Sequence, residues 1–328
     1  MFEKRHIAVV EQGRVFKLQR PFESDGFGLL ADEASVQAVV SAIRSRGLSE
    51  HLSRGSERVI IGAVGDERVF DPAQFESMAQ VEKAIRIVHD WRLVSREVRP
   101  QGTVVSANGV RFGEGSLKIL AEAGSLKADA GDGGIVPAAA ADALLFDPFR
   151  LNPNPYAPDA AHDSKAAERA LARATAACRA AGKAAVVRIR AAAQIEAALS
   201  ADADMLYLGG EMLADRHLQQ LAGSLNLPLV LCKGRGDSVR DWLMAAERTF
   251  LRGNPHLILG EAGTLALGDG LRLDIEAITE AKALSHLPVL ADLRRLSRPY
   301  LGADLLQQLA QTAGADAVIR PAGTVQAA

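Results

Sequence analysis

From residue 117 onward the chain repeats one pattern: a short continuous apolar run, a polar loop, then apolar residues at helical spacing. The runs are LKILA (117–121), DALLF (142–146), AAVVRI (184–189), DMLYLG (204–209), LPLVLC (227–232), HLILG (256–260), LPVLAD (287–292) and DAVIR (316–320). Amphipathic stretches such as SKAAERALARATAACRAAG, SVRDWLMAAERTFLRG and GADLLQQLAQTAGA lie between most of them. Strands that are apolar on both faces belong to parallel sheets covered by helices, and eight is the number that closes a (β/α)8 barrel. The pattern therefore predicts an α/β protein whose residues 101–328 form a TIM barrel. The first crossover, SLKADAGDGGIVPAAAADA, carries a Gly-Asp-Gly-Gly run and a proline, which predict a shortened or irregular helix.

The first hundred residues have a different rhythm. DEASVQAVVSAIRSR (32–46) reads as a helix with an acidic start, and GSERVIIGAVG after it has the β-branched richness of a strand. DPAQFESMAQVEKA then predicts a helix opened by Asp-Pro, and IRIVHDWRLVSREV an extended stretch. This alternation predicts a small α+β domain over residues 1–100, with residues 1–25 as an extra segment that either adds a strand or forms an arm for assembly. Past Pro100, VVSANGVRFGEG sets Asn-Gly between two apolar runs, the signature of a tight hairpin.

Composition narrows the partners. With 328 residues, 48% of them hydrophobic, and a net charge of −2, the chain can bury a large core and lacks the basic balance of a nucleic-acid-binding protein. No apolar run approaches membrane-spanning length and the N-terminus MFEKRHIAVVEQGR has no signal-peptide core, so a cytoplasmic protein with no membrane partner is expected. Cys178 and Cys232, far apart, provide neither a disulfide framework nor a zinc cluster. Cys232 reads as a small buried hydrophobe unless Lys233 activates its thiol, and His162, His217, His256 and His286 read as surface or capping residues.

In such barrels the reacting groups stand at the C-terminal ends of the strands. Those ends read FRLNPNPYAPD, GGEMLAD, CKGRGDS, GEAGT and DLRRLS. The stretch PLVLCKGRGDSVRDWLMAAERTFLRGNPHLILGEAGT (228–264) resembles the fifth and sixth barrel units of the 3-deoxy-D-arabino-heptulosonate 7-phosphate (DAHP) synthases, with their P-V-L-L-K-R-G, E-E-W-L-M-A-A-E, G-N and V-I-L-C-E-R-G motifs. SHLPVLAD is similar to that family's T-H-L-P-V-I-V-D-P-S-H. HLSRGSERVIIGAVGDER and WRLVSREVRPQGTVV resemble the ferredoxin-like (ACT-like) domain and linker of its type I-beta branch. The likeness implies an N-terminal ferredoxin-like regulatory or assembly domain ahead of the barrel. It also implies an ancestral aldol-type reaction of phosphoenolpyruvate with erythrose 4-phosphate, assisted by a divalent metal held by Cys, His, Glu and Asp.

Carried over residue by residue, the same likeness implies that the ligand set has been lost. The family's metal-binding cysteine falls on Gly124, its histidine on Arg295 and its glutamate on Pro321. A guanidinium at a ligand position neither donates to a cation nor tolerates one, so no metal or cofactor is expected. The substrate-gripping K-P-R-T-S-P-Y reads Arg150 to Tyr156, K-R-G reads Cys232-Lys233-Gly234, E-R-G reads Glu261-Ala262-Gly263 and G-A-R-N reads Gly209-Gly210-Glu211-Met212. A bidentate grip on phosphate is worth about 1.5–3 kcal/mol, so a chain without several of them forfeits most of the affinity for substrate.

The resemblance thus implies a non-catalytic paralogue acting as scaffold or regulatory partner of aromatic amino-acid (shikimate) biosynthesis. It would be a homo-oligomer (dimer or tetramer), or would associate with an active DAHP synthase. Two alternatives stand beside it. One is a metal-independent enzyme in which Arg150, Lys233, Arg294, Arg295 and Arg320 bind an anionic small molecule and the retained acids Glu261 and Asp292 move protons. In that setting the same arginines can instead pair with Asp292, Glu261 or Glu211, while Arg188 and Arg190, two apart on a strand, share one face. The other alternative is an aromatic amino-acid sensor in the N-terminal domain.

Overall fold

The computed structural model describes residues 7–9, 16–17, 32–54, 59–64, 71–84, 90–123, 140–150, 154, 156, 164–268, 270–321 and 324. The chain divides into two compact units, Met1–Pro100 and Gln101–Ala328.

The first unit contains β1 (Ile7–Val9), β2 (Phe16–Lys17), α1 (Glu33–Arg44), β3 (Ser49–Arg54), β4 (Val59–Val64), α2 (Pro72–Glu76) and β5 (Val81–Ala84). Helix α1 begins where Asp32 accepts from the Ser35 amide at 2.7 Å, satisfying one of the orphan donors of its first turn. Its Val36, Val39, Val40 and Ile43, spaced i, i+3, i+4, i+7, are buried against Val59, Ile61, Ala63 and Val81 of the sheet. Strand order is β2-β5-β1-β4-β3, so the N-terminal segment supplies two strands, one of them central.

One expectation here is corrected. Residues 71–84 are not a single helix: α2 stops at Glu76, the chain turns over Ser77–Gln80, and the next four residues are the strand β5. Phe75, Met78, Val81 and Ala84 all pack in the core at a spacing that imitates a helix, yet Gln80 takes φ +65°, which no helix continues through. Of the stretch expected to be extended, residues 85–98, the described part 90–98 forms turns, and 85–89 lie outside the described residues.

The second unit opens with the hairpin β6 (Val105–Ala107) and β7 (Val110–Phe112), turning at Asn108 and Gly109 with φ of +43° and +80°. Two successive left-handed residues match the twist of the strands they join. Strands β8 (Lys118–Glu122), β9 (Ala143–Phe146), β10 (Ala184–Ile189), β11 (Met205–Leu208), β12 (Leu229–Cys232) and β13 (Leu257–Glu261) follow. A short antiparallel pair, β14 (Thr264–Leu265) and β15 (Leu271–Arg272), precedes β16 (Val289–Asp292) and β17 (Ala317–Arg320). The eight longer strands pair in parallel in chain order, and β17 returns to β8 to close the barrel. Helices α3 (Ser164–Ala180), α4 (Gln194–Ser200), α5 (Arg216–Gly223), α6 (Val239–Phe250), α7 (Ile275–Leu284) and α8 (Ala303–Thr312) follow β9, β10, β11, β12, β15 and β16. The first crossover, expected to be irregular, lies outside the described residues.

The barrel core is built from alternate residues: Leu120, Ala143 and Leu145, Ala184 and Val186, Met205 and Tyr207, Val230 and Cys232, Ile258, Leu290, and Ala317 and Ile319. Val105, Ala107 and Phe112 of the hairpin belong to the same cluster. The hairpin covers the N-terminal ends of the strands. Asn108 donates to the carbonyl of Lys183, just before β10, and the Thr103 amide to that of His286, just before β16, both at 2.8 Å. Gly113, at φ +91°, is needed there, because a Cβ would run into the Thr103 carbonyl and Pro288. His286 corrects a second expectation: it is 3% exposed, with Nδ1 2.8 Å from the Thr103 hydroxyl and its ring edge-on to Phe250.

Candidate functional site

With its N-terminal end plugged, the barrel offers its C-terminal end for chemistry, and strand alternation decides which side chains reach it. Two residues beyond the inward-facing Leu120, Leu145, Val186 and Leu290 stand Glu122, Asp147, Arg188 and Asp292. Tyr207 and Cys232 supply the layer beneath.

Tyr207, 1% exposed, is the pivot. Its hydroxyl donates to Asp292 Oδ2 at 2.6 Å, and the guanidiniums of Arg188 and Arg294 stand over its ring at 5.4 and 5.6 Å. Arg294 grips Asp292 with two parallel bonds, Nε to Oδ1 at 2.8 Å and Nη2 to Oδ2 at 2.6 Å, and reaches Glu122 at 3.2 Å. On the other side Arg188 pairs with Glu211 and lies 3.9 Å from Asp147, while Arg190 holds Asp147 at 2.5 Å and Glu211 at 3.1 Å. Arg188 and Arg190 thus do share one face, and it is the mouth.

The electrostatics follow from this pairing. Burial pushes the Asp292 carboxyl up, but Arg294 outweighs it and holds the group below its ordinary value. Burial likewise opposes the charge on Arg294, and Asp292 outweighs it, so Arg294 stays charged. Glu211 is lowered in the same way, burial being overcome by Arg188 and Arg190. Three guanidiniums therefore face four carboxylates at the mouth, and each guanidinium has a carboxylate partner. The space left among Arg188, Tyr207, Glu211, Lys233, Asp292 and Arg294 is about 30 Å³, enough for water but not for a metabolite.

The expected anion-binding residues do not converge. Arg294 is held within the network. Lys233, 2% exposed, donates to the Thr264 hydroxyl at 2.8 Å and lies 3.5 Å from Asp274. Arg320 turns to α8, where it binds Asp304 at 2.6 Å and Gln307 at 3.0 Å. Arg150 and Arg295 are exposed, as is Arg235, and none of their three guanidiniums has a hydrogen-bond or ion-pair partner among the described residues. Burial and then the neighbouring Arg188, Arg150, Arg294 and Arg235 depress the Arg295 pKa, so this rim lacks a counter-charge.

The two retained acids are separated. Asp292 faces inward, whereas Glu261 follows the outward-facing Leu259 and accepts from the amides of Gly263 and Asp274 at 3.0 Å, bridging β13 to the start of α7. Its second oxygen is buried without a partner, and burial, only partly offset by Lys233, raises its pKa to about 7. Cys232 is fully buried beneath the network and burial pushes its thiol up, so it is a packing residue rather than a nucleophile. Gly124 lies outside the described residues; Pro321 is half-buried beyond β17. Among the described residues no cluster of three or more His, Cys, Asp or Glu is placed to hold a metal ion. Sequence reasoning passed over Tyr207, Glu122, Asp147 and Arg235. Counting by twos along each strand from its apolar core residues finds the first three; Arg235, beyond a strand end, carries no such signal.

Comparison with known proteins agrees with both units. Residues 30–89 match the family model described as the DAHP synthase ferredoxin-like domain. A phospho-2-dehydro-3-deoxyheptonate aldolase of Thermotoga maritima is 28% identical over 282 residues, covering 79% of this chain and 77% of that protein. The crystal structure of phospho-2-dehydro-3-deoxyheptonate aldolase (DAHP synthase) from Thermotoga maritima superposes with a TM-score of 0.63 at 27% identity, over 89% of this chain and 84% of that one. A truncated form of the synthase from the same organism gives 0.58 at 25% identity, over 70% of this chain and 83% of that one. Among the described residues no helix is long and apolar enough to cross a membrane. An eight-stranded parallel barrel and a ferredoxin-like domain, matched over both parts, make the chain similar to the DAHP synthases in sequence and in fold.

Proposed function

We propose that this chain is a member of the DAHP synthase family that does not carry out the synthase reaction and acts by association, as a scaffold or regulatory partner. The observation that carries this reading is the mouth itself. Its inner guanidiniums, Arg188, Arg190 and Arg294, are neutralised by its own carboxylates around Tyr207, and the space among the described residues there is about 30 Å³, where an aldol reaction would need room for two phosphorylated substrates. The residues present do not fit a divalent ion. By resemblance, Arg295 stands at the family's histidine position, Pro321 at its glutamate and Gly124 at its cysteine, and none of these donates to a cation. A fold retained without its chemistry suits contact with another barrel, either a second copy of this chain or an active DAHP synthase.

The test pairs an assay with elemental analysis. Purified protein given phosphoenolpyruvate, erythrose 4-phosphate and manganese is expected to turn over neither substrate and to hold no stoichiometric metal; activity with bound metal overturns the reading. Light scattering after size exclusion, alone and mixed with an active synthase, tests the association. A monomer that ignores the synthase counts against it.

A second reading has its own observation: the unpaired rim guanidiniums Arg150, Arg235 and Arg295, which suit a phosphorylated or carboxylated small molecule. A ligand at a hundred times its Kd adds about 2.7 kcal/mol to stability, so a thermal-shift screen with sugar phosphates and keto acids detects such a site. No shift at millimolar ligand removes it.

A further inference from the structure

The outer wall of the barrel carries a second concentration of arginine that the mouth does not explain. Between α5 and α6 lies a cavity of about 360 Å³, lined by Arg216, Gln219, Gln220, Arg248, Leu251 and Arg252, none of which lines the mouth. It falls within the range of small-molecule sites, about 300–1,000 Å³.

Three features of the lining point to one kind of occupant. The guanidiniums of Arg216, Arg248 and Arg252 have no ion-pair or hydrogen-bond partner among the described residues, and no carboxylate lines the cavity. Two acids at the helix starts serve as caps: Asp215 accepts from the Leu218 amide to cap α5, and Asp241 closes the capping box of α6 with Ser238, acting on Arg248 only through space. Arg216 occupies the first position of α5, the positive end of a helix dipole, where a lone cation is disfavoured. Burial and then Arg216 depress the Arg248 pKa, and Asp241 offsets them only in part.

Gln219 supplies the independent observation. It lines the cavity and is 2% exposed, and its amide nitrogen is fixed by the carbonyls of Met212 and Leu213, which leaves Oε1 buried without a donor among the described residues. Arg248 Nε is likewise buried and unpaired. A buried acceptor and a buried donor left open together are each costly to the fold, and a ligand bearing both an anionic and a hydroxyl group satisfies the two at once.

We propose that this cavity binds a hydroxylated phosphomonoester, with the phosphate held by Arg216, Arg248 and Arg252 and a ligand hydroxyl donating to Gln219 Oε1. A phosphate carries about −1.5 to −2 charges and three acceptor oxygens, which three guanidinium forks match better than a carboxylate does. Leu251, 61% exposed on the rim, gives the carbon skeleton an apolar edge.

The experiment is calorimetric titration of the full chain with glucose 6-phosphate, inorganic phosphate and glucose. It is run in an Arg150→Ala/Arg235→Ala/Arg295→Ala background, so that the unpaired rim of the mouth contributes nothing. Glucose 6-phosphate is expected to bind about tenfold more tightly than inorganic phosphate, with no heat from glucose. Adding Arg248→Met is expected to weaken it by at least about tenfold while leaving the circular dichroism and melting temperature in place. Binding that survives Arg248→Met, or is seen only with Arg150, Arg235 and Arg295 present, overturns the assignment. So does equal affinity for glucose 6-phosphate and inorganic phosphate. Because the mouth residues are removed, the outcome is independent of whether the chain is catalytically silent.

Discussion

Arginine plays opposite parts at the barrel mouth and on the barrel's outer wall. At the mouth Arg188, Arg190 and Arg294 each have a carboxylate, and two of them stand over the Tyr207 ring. Between α5 and α6, Arg216, Arg248 and Arg252 have none among the described residues. The difference lies in what the fold brings opposite each side chain. Strand alternation sends Asp147 and Asp292 inward among the guanidiniums, whereas on the helices the nearby acids Asp215 and Asp241 are drawn off to cap the helix starts. A paired guanidinium is part of the scaffold, and an unpaired one is a receptor. The two regions should therefore answer mutation in opposite ways.

The largest effect is expected from breaking the mouth. Asp292→Ala removes both parallel bonds to Arg294 and the acceptor of the Tyr207 hydroxyl, leaving a guanidinium 7% exposed with only the more distant Glu122. Removing one partner of a buried pair costs about 3–5 kcal/mol, read as a lowered urea midpoint at unchanged slope. A loss below about 1 kcal/mol would mean that water reaches the network and that the mouth is more open than its geometry indicates.

Glu261 sharpens the contrast within the barrel, because it is a buried carboxylate near the mouth without the pairing. Its pKa is raised from 4.5 to about 7, so the folded state holds a proton that the unfolded chain releases. Its contribution is fully present below pH 4.5 and is lost as the pH rises to about 7, a change of about 3 kcal/mol. Asp292 and Glu211 run the other way. Their pKa values are depressed, so their contribution is present above the unfolded pKa and lost on acidification. Glu261→Gln is expected to flatten the stability profile between about pH 5 and pH 7 while leaving the acid limb intact. An unchanged profile would show that Lys233 keeps Glu261 ionised.

These two carboxylates also mark how far the sequence could be read. The eight apolar runs, the Asn-Gly hairpin and the helix behind Asp32 were legible because each rests on local chemistry: continuous apolarity, a turn that needs left-handed residues, a cap. The family was legible from its run of framework residues. Glu261 and Asp292 looked alike as acids at strand ends, and only the parity of their positions against Leu259 and Leu290 separates outward from inward. The same blindness made Arg294 and Arg320 look like ligand grips, since their partners Asp292, Glu122 and Asp304 are assembled by barrel closure and by α8. Residues 71–84 misled for a different reason, because their apolar spacing fits a helix while Gln80 turns the chain. The arginines of α5 and α6 carry no signal in the sequence, because an arginine on a helix is ordinary until its neighbour across the groove is known.

A smaller effect is expected at the pivot. Tyr207→Phe keeps the ring and its contacts with Arg188 and Arg294 and deletes only the hydroxyl that donates to Asp292. Asp292 retains both bonds to Arg294, so the loss is that of one hydrogen bond to a charged acceptor, about 1.5–3 kcal/mol. Tyr207→Leu removes the ring as well and should cost more. Equal losses for the two would assign the whole effect to the hydroxyl and none to the cation–ring contacts.

The smallest effect is expected where the comparison predicts none. Arg248→Met preserves the straight aliphatic stem and removes a guanidinium with no partner and a like charge beside it. The stability change should stay within about 0.5 kcal/mol in phosphate-free buffer, with a tendency toward stabilisation as repulsion from Arg216 is relieved. Raising the ionic strength should narrow even that gap, because screening weakens the same repulsion in the unmutated chain. A loss comparable to that of Asp292→Ala would show that Arg248 is tied into the scaffold after all, and the difference between the two sets of arginines would be one of position only. A near-zero change in dilute buffer, joined to a melting temperature that glucose 6-phosphate raises in the unmutated chain alone, would establish that arginines on the outer wall are held ready for an anion while Arg188, Arg190 and Arg294 at the mouth are already paired with carboxylates.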